Sequence, residues 1–189
     1  MCRLRQFVLL GSSVLGSWLG MQEVHESGHV LGAWLTGGRV DRVVLNPLTI
    51  SRTDMTQNPS PLTVVWAGPI VGVVVPLLIW LFASKARLPG AFVLRFFAGF
   101  CMVANGLYIG VGSFDHIGDC GEMLRQGSAT WQLWFFGIVT VPVGLWLWHG
   151  ERLHFGFGNA NGRVSRAAAY GSFAVCVALL VFGFFVGGE

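Results

Sequence analysis

The stretch from Gln6 to Thr36, QFVLLGSSVLGSWLGMQEVHESGHVLGAWLT, decides how this chain is read. It opens as an apolar run long enough to cross a hydrocarbon core, which takes about 20 helical residues. It then places Gln22, Glu23, His25, Glu26 and His29 in the same apolar context. An ionisable group at such a depth costs about 3 kcal/mol unless it faces a cavity, a partner or a metal. At about 100° per residue, His29 lies about 40° around a helix from His25, with Gln22 about 60° and Glu26 about 100° away. One helix face therefore carries both imidazoles, and something must compensate them.

Working outward, four further apolar stretches are read as spans, at roughly 62–83, 91–112, 130–149 and 167–187. Hydrophobic residues make up 53% of the 189 positions and charged residues 11%, with a mean hydropathy of +0.64, which sets the chain apart from soluble domains. The expected fold is all-α, a polytopic membrane helix bundle of about five transmembrane spans. The connecting segments are short and none has a core-forming pattern, so residues 1–189 are expected to form a single integral membrane domain. The start, Cys2-Arg3-Leu4-Arg5 before an apolar run, is similar to a secretory signal, but no small-x-small site precedes a polar domain, and the segment is read as retained.

The net charge of +3 comes from Lys and Arg residues scattered around span ends, with no basic stripe, and nucleic acid is excluded as a partner. The lipid bilayer is the expected surroundings. Cys2, Cys101, Cys120 and Cys176 have no CxxC spacing and read as buried thiols. Trp131, Trp134, Trp146 and Trp148 flank the fourth span as an aromatic belt. Glycine pairs at four-residue spacing, Gly16 with Gly20, Gly28 with Gly32, Gly68 with Gly72 and Gly106 with Gly110, read as helix-packing surfaces.

Residues 37–61 interleave Val40, Val43, Val44, Leu45, Leu48 and Ile50 with polar residues around an Asn46-Pro47 turn signal. A short β-hairpin at the membrane surface after the first span, or a plain connecting loop, fits this pattern. The connection from Gly150 to Arg166 reads as a solvated loop, and its His149 and His154 have no ligand pattern. Arg95, inside the third span, is expected to snorkel to the interface rather than pair with a carboxylate.

His25-Glu26-Ser27-Gly28-His29 is the HExxH pattern, in which two His residues one turn apart bind a single Zn²⁺ and the Glu reaches its water. Neutral imidazoles suit zinc, and a third protein ligand plus water completes a catalytic site. Glu26 is the expected general base, passing the water's proton to the departing amine.

HExxH inside a span, followed by Ala67-Gly68-Pro69 at the start of the next, resembles the site-2 protease family of intramembrane zinc metalloproteases. That family has a three-helix core whose third helix supplies an Asn and a zinc-binding Asp. The order here is the same, with Asn105 and then Asp115 and Asp119, so the resemblance covers roughly residues 20–125 as a catalytic core and leaves 130–187 as two accessory spans. The third motif departs from the family form, since no Pro follows Asn105 and Cys120 stands where Gly is usual. The resemblance implies zinc held by His25, His29 and Asp119, with Asp115 as the other candidate. It gives Asn105 a contact to the substrate backbone or the oxyanion, an interhelical hydrogen bond being the alternative.

The implied activity is endoproteolysis in or near a transmembrane segment of a membrane-protein substrate. The alternative is a catalytically silent zinc-binding homologue with a regulatory or transport role. The expected location is a bacterial cell membrane. A hairpin edge near Val43 to Leu45 would hold the unwound substrate by strand addition. On orientation, Arg3, Arg5, Lys85, Arg87, Arg152, Arg163 and Arg166 outnumber Arg39, Arg42, Arg52 and Arg125, which puts the N-terminus in the cytoplasm. The resemblance places the site end there instead.

Overall fold

Backbone amides in hydrocarbon must be satisfied within their own segment, which makes a helix of each apolar stretch. The computed structural model describes residues 2–186 and is mostly helical. In order, the elements are α1 (Cys2–Leu35), β1 (Arg39–Val44), β2 (Arg52–Gln57), α2 (Pro61–Lys85), α3 (Ala91–Gly112), α4 (Gly118–Arg125), α5 (Thr130–Trp148) and α6 (Arg166–Val186). Four helices, α2, α3, α5 and α6, are long and apolar enough to cross a membrane. They coincide with the four later stretches read from sequence. The first helix, counted there as a fifth span, is longer but more polar, because Ser12, Ser13 and Ser17 and the row from Gln22 to His29 dilute its apolar run. Those serines are buried, since α1 packs against α2, α3 and α6.

The glycine pairs act as packing surfaces. A Cβ on Gly28 of α1 would stand 2.5 Å from the Ala67 carbonyl oxygen and 2.8 Å from the Gly68 Cα of α2. On the α3–α5 seam, a Cβ on Gly144 would lie 2.7 Å from the Gly99 carbonyl oxygen, and one on Gly110 would lie 3.3 Å from the Gly137 Cα. Only residues without side chains let these backbones approach so closely.

Between α1 and α2 the chain forms a two-stranded antiparallel sheet, with Val43 opposite Thr53 and Val44 opposite Arg52. The Asn46 side chain closes the turn by accepting the Leu48 N–H at 3.0 Å. Arg42 and Arg52 both donate to Asp54, at 2.8 and 3.1 Å. The Arg42 hydrogen bond holds the Asp54 carboxyl below the usual carboxylate range.

The Gly150–Arg166 connection is more ordered than a solvated loop. It contains short 3₁₀ turns at Glu151–Leu153 and Gly158–Ala160, and it buries Glu151 and Phe155. Gln6 at the start of α1 donates to the Phe155 carbonyl at 3.0 Å. Arg95 does not snorkel. Its Nη1 donates to Glu151 Oε1 at 2.8 Å, its Nη2 reaches the His149 carbonyl at 3.3 Å, and the guanidinium lies over the rings of Trp80 and Trp146. Pairing wins because the 3₁₀ turn folds Glu151 back over α3. Glu151→Ala strands this cation, and by the usual cost of breaking a buried pair we expect a loss of about 3 kcal/mol in folding stability. Denaturant unfolding in detergent measures it, and an unchanged midpoint would contradict the pairing.

Candidate metal centre

The i, i+4 spacing on α1 brings His25 and His29 together, with their Nε2 atoms 3.1 Å apart and the rings edge to face. Both residues are buried. Each Nδ1–H is spent on a fixed acceptor: His25 donates to Asn105 Oδ1 at 2.7 Å, and His29 donates to the Val64 carbonyl at 2.9 Å. The Asn105 orientation follows from its amide, which donates to the Cys101 carbonyl at 2.9 Å. This fixes the tautomer and aims both Nε2 lone pairs at a common point.

Asp119 supplies the third atom. Its Oδ2 lies 2.8 Å from His25 Nε2 and 3.3 Å from His29 Nε2. Three lone-pair atoms at mutual distances of 2.8 to 3.3 Å repel one another unless a proton or a cation lies among them. Ligand bonds of about 2.0–2.2 Å at tetrahedral angles give ligand-to-ligand edges of about 3.3–3.5 Å, so the set is close to the size of a zinc site. His25, His29 and Asp119 form a group that can hold a metal ion.

Asp119 reaches the helix face of α1 because α4 is anchored beside it. Cys120 and Met123 are fully buried in a cluster with Val65, Ile109 and Leu133, and the Cys120 thiol donates to the Tyr108 carbonyl at 3.1 Å. Burial pushes that thiol up to about 11, so Cys120 serves as neutral packing where a glycine was expected. Asp115 is exposed on the preceding turn and stands outside the group.

Asn105, read as a substrate contact or an interhelical bond, makes the interhelical bond to His25 and is 1% exposed. Glu26 is buried beside the ligands, and its Oε2 accepts the Thr53 hydroxyl of β2 at 2.8 Å. Ligands, Glu26 and Asn105 all line one cavity of about 760 Å³ between α1, α2, α3, α4 and the β2 strand. Gly68 faces His29 across the α1–α2 seam: a Cβ there would occupy the imidazole's own space. Of the other three glycine pairs none touches a ligand in this way.

Thr53, Val64 and Tyr108 are the participants that the sequence did not disclose. Val64 contributes a backbone carbonyl, which every residue has. Thr53 comes from the hairpin. Tyr108 had a signal, since three residues after Asn105 is the same face of α3.

No curated protein and no solved structure matches the chain. Residues 18–110 match the family described as Peptidase M50B-like, a range that holds His25 to His29, Ala67 to Pro69 and Asn105 but stops before Asp119. That match, over just under half of the chain, supports a relationship to the site-2 protease family and suggests a function related to that of membrane metalloproteases.

Proposed function

We propose that the protein is an intramembrane zinc metalloendopeptidase that hydrolyses a peptide bond in or near a transmembrane segment of another membrane protein. The observation that carries this is Glu26. The three ligand atoms have no use for it, yet it is buried beside them, held by Thr53 and turned to the same cavity. A site that only stored or sensed metal would need no such carboxylate, which weighs against a silent regulatory or transport homologue.

His25, His29 and Asp119 would hold the zinc, whose chemistry is to acidify a water and polarise a carbonyl. Asn105 and the Val64 carbonyl keep the imidazoles in the ligating tautomer. Glu26 takes the water's proton and delivers it to the amide nitrogen as the C–N bond breaks. Thr53 keeps its carboxylate from swinging away. The cavity lies one to two helical turns inside the bundle, since Val64 is the fourth residue of α2 and Asn105 stands two turns before the end of α3.

A helical substrate hides its carbonyls in its own ladder, so it must extend before cleavage. The strand along the cavity is β2, through residues 52 to 55, rather than the Val43 to Leu45 edge inferred from the sequence. Main-chain pairing to β2 is the natural way to hold an extended segment.

The test uses the protein in liposomes with a single-span model substrate. We expect one zinc per chain, cleavage lost on chelation, and cleavage restored by zinc. A substrate N-methylated at alternate positions beside the scissile bond should be cut at least tenfold more slowly. Cleavage that survives removal of zinc would sink the metalloprotease reading; equal cutting of the methylated substrate would sink only the strand pairing.

A further inference from the structure

We propose that Tyr108 is a further catalytic residue, whose hydroxyl donates a hydrogen bond to the scissile carbonyl oxygen as that oxygen becomes an oxyanion. The inference rests on the proteolytic reading above. Its basis is the way the phenol is held between two of the proposed ligands. The ring meets the His25 imidazole edge-on, with centroids 5.9 Å apart, and the hydroxyl oxygen accepts the Asp119 backbone N–H at 3.1 Å. Accepting that bond leaves the hydroxyl's proton uncommitted. Among the described residues it donates to no protein acceptor.

Burial and surroundings separate this tyrosine from a packing residue. Tyr108 is 42% exposed and lines the cavity, so its proton is offered to whatever enters. Position 118 is a glycine with φ of +59°, and a Cβ there would strike the Tyr108 hydroxyl. Two other donors beside the ligands are engaged elsewhere. The Thr53 hydroxyl is spent on Glu26, and the Asn105 amide, 1% exposed, donates to the Cys101 carbonyl.

The step balances without any co-reactant. As the water oxygen bonds to the carbonyl carbon, the C=O π pair moves onto the carbonyl oxygen and Glu26 takes the water's proton. Tyr108 keeps its own proton and shares it with the new oxyanion. When the C=O bond re-forms, the C–N bond breaks, Glu26 returns the proton to the amine, and the bond to Tyr108 weakens to its starting strength. A donor that gains strength only in the tetrahedral state accelerates the reaction rather than tightening substrate binding.

Tyr108→Phe keeps the ring against His25 and removes the hydroxyl. We expect zinc affinity and KM close to wild type, kcat lowered by about 10²–10³-fold, and a phosphinic peptide, an anionic tetrahedral mimic, bound about 10²-fold more weakly. Wild-type kcat and wild-type phosphinate binding would overturn the proposal. So would a loss of zinc that accounts for the loss of rate, which would reduce Tyr108 to positioning Asp119. A zinc-loaded wild type that cuts no membrane substrate would overturn the proteolytic reading and this role with it. If Tyr108→Phe does not fold, fluorotyrosine incorporated into a Tyr170→Phe background marks Tyr108 alone, because the chain has 2 tyrosines. The hydroxyl and its contacts are then kept. A kcat changed by at least about twofold at constant zinc supports donation, and an unchanged kcat overturns it.

Discussion

Glu26→Gln is expected to leave zinc bound at the wild-type level and to lower cleavage by about 10²–10⁴-fold, the span that a positioned general base contributes. The substitution is close to isosteric, and the amide oxygen still accepts the Thr53 hydroxyl that now holds the carboxylate at 2.8 Å. None of the three ligand atoms is altered, and their mutual distances do not depend on Glu26. What disappears is a group able to accept a proton at neutral pH. Zinc analysis and a single-turnover cleavage assay, run on the same preparation, read the two effects separately. Near-normal cleavage by the variant would remove Glu26 from the mechanism, and lost zinc would make it a structural residue of the site.

A second large effect is expected from the smallest change, Gly68→Ala. The new methyl group would fall on the His29 ring. The ring cannot turn aside without giving up the Val64 carbonyl that sets its tautomer. A retreat of α2 would give up the close backbone packing in which Gly28 lets the Ala67 carbonyl oxygen come within 2.5 Å of where a Cβ would stand on α1. Overpacking of this kind costs about 1–3 kcal/mol, and disturbing a ligand's supporting contact costs about 10–100-fold in metal affinity. We therefore expect zinc affinity to fall by about 100-fold, and cleavage with it at limiting zinc. Gly110→Ala on the α3–α5 seam is the control, since its methyl meets the Gly137 backbone at 3.3 Å and no ligand. Equal zinc affinity in wild type and Gly68→Ala would show that the seam has more room than its geometry indicates.

The parts of this site that the sequence discloses are the local ones. His25 and His29 are one helical turn apart, so their convergence follows from helix geometry alone, and the apolar stretches after residue 60 become helices at nearly the expected limits. Long-range pairings were not legible in that way. Asp115 and Asp119 are told apart by packing: Cys120 and Met123 bury one side of α4 and carry Asp119 inward, while Asp115 stays on the exposed turn. Arg95 and Glu151 are 56 positions apart, and nothing in a solvated-looking connection announced that its acid would fold back over α3. The first helix carries two kinds of face. Its buried serines, His25 and His29 lie toward the three helices it packs against, while Val14, Leu15, Trp18 and Leu31 stay exposed on its other side.

Asp119 lies 94 positions beyond the His25 it joins. At a synthesis rate of about 5–20 residues per second, some 5–20 s separate the emergence of the histidines from that of their carboxylate partner. During that interval the nascent chain holds two of the three residues of the group. The three-atom group around His25, His29 and Asp119 is therefore complete only once α4 has been made and has docked against the helices that precede it.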